Sequence, residues 1–144
     1  MLENSSTAKF DNIMVEFKRH ADLFYLVGSR FFGNMTPESD WDFFVADSVQ
    51  IRPLLRGLGF KVSMDSSYSD RLCLDVWGHD ECRIHVQIVD RIHVNSRKII
   101  RDLLKKSPMF VNLPKRDRAL VWRIMSDVLY ESPGCFLSPL FRIR

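Results

Sequence analysis

The sequence predicts one domain of the α/β class with an α+β layout: a mixed sheet of about five strands, helices mainly on one face, and a helical C-terminal extension. Two observations carry this expectation. Between residues 23 and 90, short apolar and aromatic runs alternate with turns that contain glycine and acidic residues, as strands do. Outside that stretch, apolar residues recur at helical spacing behind cap residues. The chain has 144 residues, 46% hydrophobic and 12% aromatic, which suffices for one core and not for two full domains.

In chain order, Ser5-Ser6-Thr7 offers N-cap hydroxyls, and Phe10, Ile13, Met14 and Phe17 follow at i, i+3, i+4 and i+7. That spacing predicts an amphipathic helix over about 8–20. Leu23–Val27 is an unbroken apolar run closed by Gly28, as suits a strand covered on both faces. Phe31-Phe32 continues into a helical turn, and Gly33–Ser39 reads as loop. Asp40–Ala46 is a second strand, whose period of two places Asp40 and Asp42 on one face and Trp41 and Phe43 on the other. A short helix follows over Ser48–Leu58, with Pro53 tolerable in its first turn. Strands are expected at Phe60–Met64, Arg71–Trp77 and Cys82–Val89, with turns at 65–70 and 78–81. Asn95-Ser96 reads as a cap pair for a helix over 97–106. Pro114 opens a last helix over 115–131, with Leu120, Ile124, Val128 and Leu129 as its apolar stripe, and the tail from Ser132 reads as irregular. The expected division is a core over 1–94 and a basic helical extension over 95–144 packed on the same domain.

Several classes are excluded. No apolar run approaches the roughly 18 residues that span a bilayer, so no membrane association is expected. The N-terminal residues lack a basic stretch followed by an apolar one, and three unpaired-looking cysteines (Cys73, Cys82, Cys135) suit a reducing compartment, which together predict a cytoplasmic protein. The net charge of +3 hides an asymmetry. Residues 1–90 hold nine Lys/Arg against fourteen Asp/Glu, a balance of −5, and residues 91–144 hold twelve against four, a balance of +8. One part can hold cations while the other meets phosphates.

The chemistry concentrates at Gly28-Ser29, where the first strand ends, and at Asp40-x-Asp42 on the next strand. Two carboxylates on one strand face raise each other's pKa unless a cation lies between them. A divalent metal with open positions for water and phosphate oxygens, Mg²⁺ or Mn²⁺, suits such a pair. Gly28 lets a backbone approach without a Cβ, and Ser29 adds a hydroxyl donor and the amides of a starting helical turn.

The run Leu26-Val27-Gly28-Ser29-Arg30-Phe31-Phe32-Gly33, followed by Ser39-Asp40-Trp41-Asp42-Phe43-Phe44-Val45, resembles the signature of the polymerase β-like nucleotidyltransferase superfamily. The match covers about 20 residues. The resemblance implies that family's mixed sheet and a metal-dependent transfer of a nucleoside monophosphate from a nucleoside triphosphate to a hydroxyl or phosphate acceptor. In that reading Asp40 and Asp42 ligate the metal. Gly28 and Ser29, with Arg30, hold the phosphates, and the acceptor is an RNA, a protein or a small molecule. The family also implies a third carboxylate on a later strand. Asp75 is one candidate for this catalytic and metal-binding role; the other alignment puts His85, with Gln87 beside it, where relatives carry an acid, and a neutral imidazole there could serve as the base.

The basic residues Arg97, Lys98, Arg101, Lys105 and Lys106 are expected to meet the triphosphate or an RNA or protein acceptor. The alternative function is a member of the same fold that has lost catalysis and binds nucleic acid or an acidic protein. His79, Cys82 and His85, with Cys73, are also weighed as a zinc set, against their simpler reading as strand and hairpin residues.

Overall fold

The computed structural model describes residues 2–63 and 71–131. The chain runs α1 (Leu2–Arg19), β1 (Phe24–Val27), α2 (Ser29–Phe32), β2 (Trp41–Ala46), α3 (Ile51–Gly57), β3 (Lys61–Val62), β4 (Cys73–His79), β5 (Ile84–Val89), α4 (Arg91–Lys105), α5 (Pro108–Val111) and α6 (Lys115–Glu131). The expected turn at 65–70 and the tail from Ser132 lie outside the described residues.

The strands form one mixed sheet in the order β1-β2-β5-β4-β3. Only β2 and β5 run parallel; the other neighbours are antiparallel. The five expected strands are all present, although β3 shortens to two exposed residues.

Alternation along the central strands creates two apolar faces. Phe43 and Val45 of β2 with Ile84, Val86 and Ile88 of β5 meet Ile13 and Phe17 of α1 and Ile51 and Leu55 of α3. Phe44 and Val89 point the other way, into a second core with Phe32 of α2, Ile100 of α4, Phe110 of α5 and Leu129 of α6. The helices are therefore shared between both faces, where the sequence reading had them mainly on one. The reason lies in the strands themselves: β2 and β5 are apolar on both sides, so each side must be covered. The C-terminal helices are the cover of the second face.

Three local differences have simple causes. Helix α4 begins at Arg91, because Asp90 caps it by accepting from the Ile92 amide at 3.2 Å. Asn95 and Ser96 lie inside the helix, and the division at 94/95 falls within it. The short α5 is opened by Ser107, whose hydroxyl accepts from the Phe110 amide, and by Pro108 at the first helical position. In α6 the inward stripe is Arg118, Ser126 and Leu129, which are buried, with Val121, Trp122 and Met125, which are partly buried, while Leu120, Ile124 and Val128 are exposed. The indole of Trp122 carries the largest apolar surface on the helix and takes the inward side.

Candidate functional site

The site forms where the C-terminal end of β1 meets the N-terminal ends of β2 and β5. In register, Val27 faces Asp42 across the β1–β2 pair, and Asp42 faces His85 across the parallel β2–β5 pair. Asp42 and His85 project on the side of Phe44 and Gln87, the face that α4 and α6 cover farther along the strands. At this end the cover stops, and the side chains of Asp40, Asp42 and His85 remain 24%, 27% and 18% exposed.

Gly28 is required here for two reasons. Its φ is +76°, and a Cβ added to it would come within 2.5 Å of Asp42 Oδ2. The group that exploits the missing side chain is thus the Asp42 carboxylate. Ser29, half-buried, starts α2 directly after this turn. Arg30 folds back on its own loop: Nε and Nη2 donate to the Ser39 carbonyl at 3.1 and 2.9 Å, and the guanidinium lies 4.3 Å over the Trp41 ring. It orders the loop that delivers Asp40 instead of reaching into the site.

The two aspartates meet cations supplied by the fold. His85 Nδ1 lies 3.5 Å from Asp42 Oδ1 and 3.8 Å from Asp40 Oδ2. Arg83 Nε donates to Asp40 Oδ1 at 3.0 Å. Asp42 lifts the His85 imidazole above its ordinary pKa by hydrogen bonding and charge, burial opposes it, and Asp40 and Asp80 add to the rise. Arg83 has a φ of +55°, unusual for a side chain of its size, and its carbonyl accepts from the Trp41 amide at 2.9 Å. One residue with strained backbone thus ties the turn before β5 to the start of β2 and to Asp40.

Asp75 is not brought to this group. It pairs with Ile88, three positions along β5 from His85 and so roughly 10 Å away along the strand. It also shares the sheet face of Trp77, which belongs to the core under α1 and α3. Arg52 grips it with two bonds, Nε to Oδ2 at 3.0 Å and Nη2 to Oδ1 at 2.8 Å, and Trp77 Nε1 donates to Oδ2 at 2.9 Å. Arg52 Nη1 also bonds Asp47 at 2.6 Å. Of the two candidates for the third group, His85 holds the position beside Asp42, and Asp75 belongs to a structural ion pair.

The zinc set does not converge either. His79 Nδ1 accepts from the Cys82 amide at 3.2 Å, and Cys82 packs against the core under α1, whereas His85 faces the opposite side. Cys73 lies against Gln87. Among the described residues no group of three or more His, Cys, Asp or Glu side chains is arranged to hold a metal ion. The donors at the site do not fit a two-cation cluster: Asp40 is bonded to arginine, and a nitrogen base with a raised pKa stands between the carboxylates.

The basic extension is also redistributed. Arg97 is 1% exposed; it donates to Gln87 Oε1 at 2.9 Å and lies over the Phe44 and Trp122 rings. Arg101 donates to the Leu26 carbonyl at 3.0 Å and lies over Phe31. Lys98 and Lys105 sit over Tyr25 and Phe31. Much of the positive charge in α4 therefore fastens the helix to the sheet.

The sequence reading missed Arg83 and Arg118. Arg118 of α6 is 6% exposed, and its guanidinium reaches Ser29 Oγ and the Gly33 carbonyl, each at 3.4 Å. Its only local signal is that it shares a helix face with Trp122, Met125 and Leu129.

No helix among the described residues is long and apolar enough to cross a membrane. Comparison with protein-family models, with curated proteins and with solved structures finds no match.

Proposed function

We propose that this chain is a nucleotidyltransferase-type domain that binds a nucleoside triphosphate at the Gly28-Ser29, Asp40-Asp42 end of the sheet and acts by binding, its third acid replaced by His85. The observation that carries this reading is His85 lodged within 3.8 Å of both aspartates, in register with Asp42 on the neighbouring strand. With Arg83 on Asp40, the fold itself supplies the positive charge that paired carboxylates require. A phosphate can then approach the turn without a cluster of bound metals. The unbridged thiol of Cys82 suits work in a reducing, cytoplasmic setting. The exposed Lys105, Lys106, Lys115, Arg116 and Arg123 offer a surface to RNA or an acidic protein.

The convergence of Asp40, Asp42 and His85 also favours a second reading, a metal-dependent nucleotidyltransferase. There Mg²⁺ or Mn²⁺ would be held by Asp40 and Asp42 and would supply charge neutralisation at the phosphates, while His85 would take the proton of the acceptor hydroxyl. Incubation with each α-³²P-labelled triphosphate, Mg²⁺ and cell extract separates the two. The binding reading expects retention of nucleotide on the protein and no label transferred to RNA, protein or small molecules. Transfer lost in Asp42→Ala would establish the second reading and overturn the first.

A further inference from the structure

Three arginines enter the second core from the C-terminal helices, and they differ in what their guanidinium groups meet. Arg97 is bonded to Gln87 and packed between Phe44 and Trp122. Arg101 has the Leu26 carbonyl, Asp102 and the Tyr25 and Phe31 rings. Arg118 is 6% exposed and forms no ion pair among the described residues; its guanidinium makes two long contacts, 3.4 Å each, to Ser29 Oγ and the Gly33 carbonyl. A guanidinium taken out of water without a carboxylate partner is unfavourable, and two weak contacts to neutral oxygens do not offset it. A fold retains such a group readily when an anion completes it.

The place it points to is specific. Ser29 is half-buried, so a ligand can reach it, and it follows the Gly28 turn against which the Asp42 carboxylate rests. The turn is thus flanked by acid on one side and on the other by a cation that has no ion pair among the described residues. We infer that Arg118 is the anion-binding residue of the site: with Ser29 it takes the terminal phosphates of a polyphosphate chain, and the C-terminal extension thereby completes a pocket that the sheet alone leaves open. Planar paired donors suit phosphate oxygens, and the two long contacts mark a guanidinium whose donors are weakly committed. This inference rests on the reading that a phosphorylated ligand docks at Gly28-Ser29, and it adds the α6 residue that recognises it.

The test uses inorganic tripolyphosphate without metal, read by calorimetry and thermal shift on the wild-type protein, Arg118→Met, Arg118→Lys and Asp42→Asn. Wild type is expected to bind, Arg118→Met to lose at least about tenfold in affinity, and Arg118→Lys to keep part of it. Asp42→Asn should bind as well or better, since a repelling charge is gone. Ligand-free Arg118→Met should melt no lower than wild type, because a buried cation with no ion pair among the described residues is replaced by an apolar chain of similar length; this also shows that the variant folds. Equal binding by wild type and Arg118→Met, or no binding by wild type at millimolar tripolyphosphate, overturns the inference. If tripolyphosphate binds through Arg118 but nucleoside triphosphates bind no better, the anion site stands and the nucleotide reading falls. If nucleotides bind through Asp40 and Asp42 with Arg118→Met indistinguishable, the reverse holds.

Discussion

The molecule carries two acidic centres on opposite faces of one sheet, and they differ in how completely they are closed. Asp75 receives three hydrogen bonds of 2.8 to 3.0 Å from Arg52 and Trp77, in fork geometry with the arginine. Asp40 and Asp42 meet His85 only at 3.5 to 3.8 Å, and Arg83 touches just one of them. A carboxylate whose lone pairs are filled by a bidentate arginine has nothing left for a ligand. One that is loosely countered, at the uncovered end of a sheet, can exchange its partners. Stability and ligand binding should therefore separate between the two faces.

The largest effect is expected from the closed centre. Asp75→Asn or Arg52→Ala leaves a half-buried charge facing a broken network and should lower stability by about 2–3 kcal/mol, whereas Asp42→Asn should change it by no more than about 1 kcal/mol. Denaturant midpoints at constant slope measure both. Equal losses at the two positions would erase the distinction drawn between them.

Next in size is the turn itself. Gly28→Ala meets a positive φ and an oxygen of Asp42 within 2.5 Å of the new Cβ, so about 1–3 kcal/mol should be lost together with nucleotide binding. The double variant Gly28→Ala, Asp42→Gly should recover part of the stability, because the clash is removed, and none of the binding.

A smaller difference is expected in pH dependence, with opposite signs. Burial tends to raise the Asp75 pKa, but the bonds from Arg52 and Trp77 outweigh it and lower the value. Its contribution is thus present above the ordinary carboxylate range, near 4, and is lost as pH falls through the depressed folded pKa. His85 is raised, facing Asp42, Asp40 and Asp80. Its contribution is full below about 6.5 and is lost as pH rises through the higher folded pKa. Stability against pH for wild type, Asp75→Asn and His85→Gln should show the acid limb flattened in the first variant and the neutral limb flattened in the second.

Much of this was legible in the residues. The period of two put Asp40 and Asp42 on one face, and the Gly28-Ser29 turn falls beside them as expected. The elements were readable because Leu23–Val27, Asp40–Ala46 and Cys82–Val89 each carry a local pattern. What could not be read locally depends on which strand lies next to which. Leu72–Trp77 reads as a buried strand with one inward acid, but the β4–β5 register and the reach of Arg52 across 23 residues turn Asp75 to the other face. The same holds for the basic extension. Arg97 and Arg101 read along the chain as part of a basic series facing a phosphate-bearing partner, and only their packing on Phe44 and Tyr25 shows them turned inward. Likewise the stripe read in α6 was Leu120, Ile124, Val128 and Leu129, and tertiary packing turned the side with Trp122 inward instead, keeping only Leu129 of that set.

The central claim is that His85 supplies, from within the fold, the positive charge that the resemblance would assign to metal. The most direct test compares nucleoside triphosphate affinity in Mg²⁺ and in EDTA for wild type and for His85→Asp. The account predicts that wild type differs by less than about threefold between the two conditions, while His85→Asp, with three acids and only Arg83 to counter them, binds at least about tenfold more tightly with Mg²⁺ than without. A wild-type protein that binds nucleotide only with Mg²⁺, and a His85→Asp variant no more dependent on it, would contradict the claim.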